Sequence, residues 1–251
     1  MKLEKKIVWV TGAGTGIGRA AAVMLAAEGA TVILTGRRQG PLDEVADEIK
    51  AKGGTALVMP ADLTRPESAT QIAQAIQRQF GRLDILVNNA GLNILKRSTA
   101  DLDAAGADQV LSGNLNSAFY CVIAALPIMR AQKDGVLIHT ASMAGRSIGP
   151  LSGVAYSAAK HGVVALSHSI NVEECVNGIR STVVCPGEVA TPILEQRPVP
   201  VSAEDRAKML QSEDVGDLIV YVATLPKHVC LNEVWITPTW NRGYVAALKR
   251  S

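Results

Sequence analysis

The sequence predicts an α/β fold, a doubly wound and mostly parallel sheet of seven strands with helices on both faces. Three observations carry that expectation. Short apolar runs rich in Val and Ile alternate with segments whose apolar residues recur at helical spacing. The first run leads through a cluster of glycines straight into an alanine-rich segment. Hydrophobic residues make up 48% of the 251 and charged residues 19%, which suits one large core and argues against disorder. Residues 1–251 read as a single domain, without repeats, linkers or low-complexity segments.

Taken in order, Ile7 to Val10 is a buried strand and Arg19 to Glu28 a helix, with Thr11-Gly12-Ala13-Gly14-Thr15-Gly16-Ile17-Gly18 between them. Thr31 to Thr35 is the second strand. Strand, glycine turn, helix, strand is half of a mononucleotide-binding unit, in which glycines let the backbone approach a pyrophosphate at a helix N-terminus. A structural turn is the competing reading of the glycines alone; their place between a strand and a helix favours a dinucleotide. At the end of the second strand, an NAD site would present a carboxylate to the ribose 2'-OH. Here Gly36 is followed by Arg37 and Arg38, whose forks suit a 2'-phosphate, so NADP(H) is preferred and NAD(H) is kept open. The alternative for Arg37 or Arg38 is stacking on adenine or facing solvent.

Pro41 to Ala51 is a helix and Thr55 to Met59 a third strand, followed by Asp62 and Leu63 at the edge where open sheets present ligands. Asp62 has two readings, a bond to the adenine amino group or a cap on the next helix. Ile72 to Phe80 is helical. Leu83 to Val87 is the fourth strand, running into Asn88-Asn89-Ala90-Gly91, where the asparagines can tie neighbouring loops and Ala90 and Gly91 leave room for a ribose. Asn93 to Arg97 reads as an exposed edge over the cleft. Asp108 to Met129 is a long apolar helix interrupted by Gly113 and Asn114, and an asparagine there needs a use for its amide.

Gly135 to Thr140 is the fifth strand, with Ser142 just past it, and the helix carrying Tyr156 runs on to Gly178. Ile179 to Cys185 is the sixth strand, ended by Pro186 and Gly187. Residues 191–210, proline-rich and then weakly helical from Val201 to Leu210, read as a substrate lid. Asp214 to Leu225 is a helix and Val234 to Thr237 a last strand. Of the three readings of Trp235, Trp240 and Tyr244, core, pocket wall or interface, the interface is favoured.

The chemistry concentrates between Ser142 and Lys160. Tyr156 and Lys160 are four apart, so on a helix they share a face. A lysine cation beside a phenol favours the phenolate and lowers a pKa that is otherwise near 10, and Ser142 can hold a carbonyl or alcohol oxygen next to it. Spacing alone would also describe a packing pair; the dinucleotide turn is what turns the balance. The formal charge of +2 and the lack of a basic run give no support for nucleic acid. No run approaches eighteen uninterrupted apolar residues, so no membrane span is expected. Four scattered cysteines form no metal-ligand pattern and suit a reducing, cytoplasmic setting.

These residues together resemble the short-chain dehydrogenases/reductases, over nearly the whole chain. The glycine pattern from Thr11 to Gly18, the Asp62 loop, Asn88 to Gly91, Asn114, Ser142, Tyr156 with Lys160, and Pro186-Gly187 occur in that family's order. The resemblance implies a Rossmann fold and reversible hydride transfer between NADP(H) and a small carbonyl or secondary alcohol. It implies a catalytic tetrad: Tyr156 as general acid and base, Lys160 lowering its pKa and holding ribose hydroxyls, Ser142 orienting the substrate, and Asn114 keeping a water on the proton path. Thr191, with backbone from Gly187 to Val189, would contact the nicotinamide. A homotetramer, or else a homodimer, is expected.

Three features depart from the pattern. Ser142 and Tyr156 stand fourteen positions apart, one more than is usual, so either the loop from Arg146 to Val154 absorbs a residue or Ser147 or Ser152 replaces Ser142. Thr15 stands where many NADP-preferring members carry a basic residue, leaving dual specificity open. The C-terminal stretch is similar to the 3-hydroxy acid and serine dehydrogenase branch, and Lys96, Arg97 and Arg146 can either bind a carboxylate or face solvent. The rival enzymes are a 3-oxoacyl thioester reductase and an NAD-dependent alcohol or polyol dehydrogenase. A non-catalytic cofactor-binding protein is disfavoured because Ser142, Tyr156 and Lys160 are all present.

Overall fold

A computed structural model of the chain describes residues 1–248. Seven strands form one sheet: β1 (Ile7–Thr11), β2 (Thr31–Thr35), β3 (Thr55–Val58), β4 (Ile85–Asn88), β5 (Gly135–Thr140), β6 (Ile179–Pro186) and β7 (Glu233–Ile236). Their order is β3-β2-β1-β4-β5-β6-β7 and every pairing is parallel. The order reverses between β1 and β4, which opens a crevice at the strands' carboxyl ends.

Alternation along the strands builds two core layers. Val8 and Val10 pack with α1 (Gly16–Ala27), α2 (Gln39–Ala51) and α8 (Ser212–Ala223) on one face. Ile7 and Trp9 pack with α3 (Pro66–Phe80), α5 (Ser117–Gln132) and α6 (Val154–Glu174) on the other. Trp9 is fully buried, and its indole N–H donates to Thr35 Oγ1 at 3.0 Å, so its polar tip is satisfied while the ring contributes about 2–3 kcal/mol of burial. Asp84 pins the start of β4 to β1 by accepting from the Ile7 amide, Lys6 and Arg82.

Several boundaries differ from the sequence reading. Gly16 to Gly18 already belong to α1, and α3 begins at Pro66, where proline at the first helical position starts a polar turn that lacks an apolar period. The expected helix from Val201 shrinks to α7 (Ala203–Ala207), because the segment is tied instead by a parallel bridge between Val189 and Leu210. The tail forms α9 (Arg242–Leu248), which the sequence reading missed.

The helix from Ala104 to Gln132 is continuous: α4 (Ala104–Leu111), a π turn (Ser112–Asn116) and α5. By length and composition alone its 29 residues could cross a membrane, although no uninterrupted apolar run marks it. Cys121, Val122, Ala125 and Met129 on this helix are buried against the sheet, which accounts for the apolar composition as core packing.

Candidate active site

The loops after β1 and β4 are lashed together before any side chain reaches the cleft. Thr11 Oγ1 accepts from the amides of Asn89 and Ala90, both at 2.9 Å, and Asn89 Nδ2 donates to the Thr11 carbonyl at 3.2 Å. Gly18 lies beneath this crossing, where a Cβ would come within 2.2 Å of the Gly12 carbonyl oxygen. It therefore serves close packing and lines neither recess. At the head of α1, Thr15 makes no side-chain capping bond and the first turn carries no acid, so the amide ends and the dipole favour an anion there.

Two adjoining recesses follow. The smaller, of about 160 Å³, is walled by Gly36, Arg37, Arg38, Asp62, Leu63 and Ala90. Arg37 and Arg38 are exposed and form no ion pair among the described residues. Asp62 is not a helix cap, since α3 starts at Pro66 with Arg65 before it. Its Oδ1 accepts from the amide and hydroxyl of Thr64, at 3.1 and 2.8 Å, and the Thr64 amide, with help from Arg37, holds the carboxyl below its usual range.

The larger cleft, of about 720 Å³, gathers Gly12, Thr15, Gly16 and Ile17 from one side with Asn89, Gly91 and Asn114. Ser142, Tyr156 and Lys160 form its opposite wall, and Pro186, Gly187, Val189 and Thr191 close the middle. Thr191 packs onto Gly16, whose added Cβ would meet its Cγ2 at 3.1 Å. Asn114 sits in the π turn, where the ladder opens. Its Nδ2 donates to the carbonyls of Leu92 and Val110, both at 2.8 Å, and its Oδ1 accepts from the Leu92 amide.

Lys160 is 3% exposed, and its Nζ donates to the Thr140 carbonyl at 2.9 Å, lying 5.5 Å from the centre of the Tyr156 ring. No carboxylate pairs with it among the described residues, and burial pushes it down to about 8. Tyr156 departs from the expectation that lysine lowers its pKa. Burial pushes the phenol up to about 12, against smaller opposing effects of a Ser142 hydrogen bond and of Arg97. Lys160 stands over the ring face, and burial is the larger influence on the phenol.

Ser142 lines the cleft with Tyr156 and Lys160, and Ser147 and Ser152 line it as well. The Ser142 hydroxyl accepts from the Ala144 amide at 3.1 Å and lies close enough to the Tyr156 phenol to oppose the upward push of burial. Just before α6, Gly153 takes φ +81 and abuts Arg97, so a Cβ would come within 2.6 Å of that side chain.

The segment from Asn93 to Arg97 is not an exposed edge throughout: Asn93 and Arg97 are buried, while Lys96 is exposed. Arg146 lies outside the cleft, bound to Glu233. The sequence reading missed Glu188, Arg197 and Arg242. Glu188 accepts from Arg197 at 2.6 Å and from Arg242 at 2.7 and 2.8 Å, so one carboxylate ties the 191–210 segment and α9 to the end of β6. An acid directly after Pro186-Gly187 was the available signal. Trp235, Trp240 and Tyr244 are exposed, whereas Asn241 to Gly243 form cleft wall.

This constellation and fold are those of a hydride-transferring α/β oxidoreductase. Residues 6–199 match the short chain dehydrogenase family, and the chain belongs to it as an NAD(P)-dependent short-chain dehydrogenase/reductase. An uncharacterised oxidoreductase of Staphylococcus aureus (strain MRSA252) is 35% identical over 94% of this chain and 98% of its own length. A metagenomic short-chain oxidoreductase solved in complex with NADP is 30% identical with a TM-score of 0.83, covering 96% of this chain and 100% of its own. An alcohol dehydrogenase from the archaeon Thermococcus sibiricus, complexed with 5-hydroxy-NADP, is 25% identical with a TM-score of 0.84, over 94% and 98%.

Proposed function

We propose that the enzyme reversibly interconverts a small carbonyl compound and its secondary alcohol, with NADP(H) preferred over NAD(H). The observation that carries the reaction is the convergence of Ser142, Tyr156 and Lys160 on one wall of a cleft that also holds the glycine loop. When bound, the nicotinamide cofactor gives or takes the hydride. Gly12, Thr15, Gly16, Ile17 and Gly91 would border it, Thr191 and the backbone from Gly187 to Val189 would face its nicotinamide, and Lys160 would hold ribose hydroxyls.

In reduction, Tyr156 donates its phenolic proton to the substrate oxygen, which Ser142 orients; in oxidation, Tyr156 takes the proton back. Asn114, held by the Val110 carbonyl of α4 and the Leu92 carbonyl of the loop after β4, would keep a water on the proton path to Lys160. Arg37 and Arg38 support the NADP(H) preference, because the β2 end offers two guanidinium groups and no carboxylate.

Titration of the purified enzyme with NADPH and NADH, read by nicotinamide fluorescence, tests this. NADPH is expected to bind about tenfold tighter or better, and Arg37→Ala to weaken NADPH far more than NADH. Equal losses for both would remove the 2'-phosphate assignment. Failure to bind either would remove the reading altogether.

A homotetramer is part of the same reading. Ile123 on α5 and Val172 on α6, Tyr221 on α8, and Trp235 on the edge strand β7 are exposed apolar side chains on different sides of the sheet, which supports two interfaces. Sedimentation equilibrium should give a mass four times the 26.4 kDa chain; a monomer would refute it.

A further inference from the structure

The substrate side of the cleft carries a cation that the reaction does not require. Arg97, in the loop between β4 and α4, is 8% exposed, yet it lines the cleft together with Ser142 and Tyr156. Its Nε donates to the Ile94 carbonyl at 2.7 Å, its Nη1 to that of Leu151 at 3.2 Å, and its Nη2 to that of Gln196. These three carbonyls satisfy N–H groups but neutralise no charge, and no carboxylate pairs with Arg97 among the described residues. One N–H remains on each terminal nitrogen, since a guanidinium has five.

The surroundings do not supply the missing charge. Burial disfavours the Arg97 cation, and Arg197 lies close enough to add to this, with Tyr156 opposing both to a smaller extent. Among the described residues Arg197 is itself matched only through Glu188, which it shares with Arg242. The cleft wall thus holds Arg97, Lys160, Arg197 and Arg242 with the carboxylate of Glu188, while Asp205 behind the wall pairs with Arg242 at 3.2 Å and reaches neither Arg97 nor Arg197. A buried cation without a counter-charge is costly, and a neutral side chain could bridge loop carbonyls without that cost.

We infer that Arg97 is a specificity-determining residue that binds an anionic group of the substrate, so that the preferred substrates are oxo acids and their hydroxy acids. The inference rests on the carbonyl-reducing reading above and narrows it. A carboxylate completes the charge balance at Arg97 while the carbonyl to be reduced meets Tyr156 and Ser142, and the guanidinium's planar fork suits a carboxylate better than an ammonium would. Because the same guanidinium holds Leu151 and Gln196, the anion site and the two loops beside it form together.

The test separates binding from turnover. Full-length enzyme saturated with NADPH is titrated calorimetrically with butanoate and with butanamide, for the wild type, Arg97→Lys and Arg97→Met. Butanoate is expected to bind about tenfold tighter than butanamide in the wild type, Arg97→Met to erase the difference, and Arg97→Lys to keep part of it. Equal binding of the two by the wild type, or full discrimination surviving in either variant, would overturn the inference. Should Arg97→Met fail to fold, the wild type and Arg97→Lys decide.

Turnover of 3-oxobutanoate and of its methyl ester completes the test. Preference for the acid supports the site, and an ester reduced as well as the acid overturns it while leaving carbonyl reduction intact. Tight butanoate binding with turnover of neither compound supports the anion site and counts against the carbonyl-reducing reading.

Discussion

Tyr156→Phe should lower turnover by about two to four powers of ten, the contribution typical of a positioned general acid, while leaving NADPH affinity nearly unchanged. The substitution removes one oxygen from a half-buried ring at the cleft wall and leaves the ring's packing and its contact with Lys160 in place. Because burial holds the phenol near 12, the proton it gives is present across the neutral range, and its removal cannot be mimicked by a mild rise in pH. Single-turnover reduction alongside fluorescence titration measures both effects. Loss of cofactor binding in step with turnover would mean that the tyrosine serves the cofactor and not the proton.

The second large effect has two signs. Lys160→Met should cost about two to three powers of ten in turnover, as expected when a fixed electrostatic partner is lost, yet raise the melting temperature near neutral pH. The lysine is buried without a counter-charge, and its displacement from 10.5 to about 8 corresponds to about 3 kcal/mol of instability, less what the Thr140 carbonyl loses with its donor. The direction with pH follows from linkage. Below pH 8 both folded and unfolded chains hold the proton and the folded state bears the full penalty. Between pH 8 and 10.5 the folded chain sheds it first, so the wild type gains stability relative to the variant and the difference closes. Thermal melts of both proteins from pH 6.5 to 10 measure this. A variant less stable than the wild type at neutral pH would mean that the lysine's hydrogen bond outweighs its desolvation.

What was legible in the sequence was local. The glycine turn between Val10 and Arg19 could be placed because a buried strand and a helix flank it, and Tyr156 and Lys160 because four residues is a helical spacing. Arg37 and Arg38 were legible because the end of β2 has a fixed place in such a sheet. What was not legible depends on contacts between distant segments. Arg97 is buried by carbonyls at positions 94, 151 and 196, and no periodicity brings those together. Glu188 meets Arg242 across 54 positions for the same reason. The direction of the Tyr156 shift was misjudged because spacing gives proximity to a lysine but gives neither its place over the ring face nor the depth of burial. Pro66, by contrast, was a readable start for α3 that the lack of apolar period concealed.

The reversal of strand order between β1 and β4 also divides the labour of the chain. The glycine loop and the arginines after β2 all precede residue 39, whereas Ser142, Tyr156, Lys160 and the lid follow β5. The loops at 93–97, 146–153 and, beyond Thr191, 193–210 can therefore change length and composition without disturbing the strands and glycine loop on the cofactor side. Gly153, with φ +81 against Arg97, ends one of these loops just before α6, so the substrate side turns on its own backbone hinge. A chain built this way can acquire a new substrate by editing three loops while inheriting its redox partner unaltered.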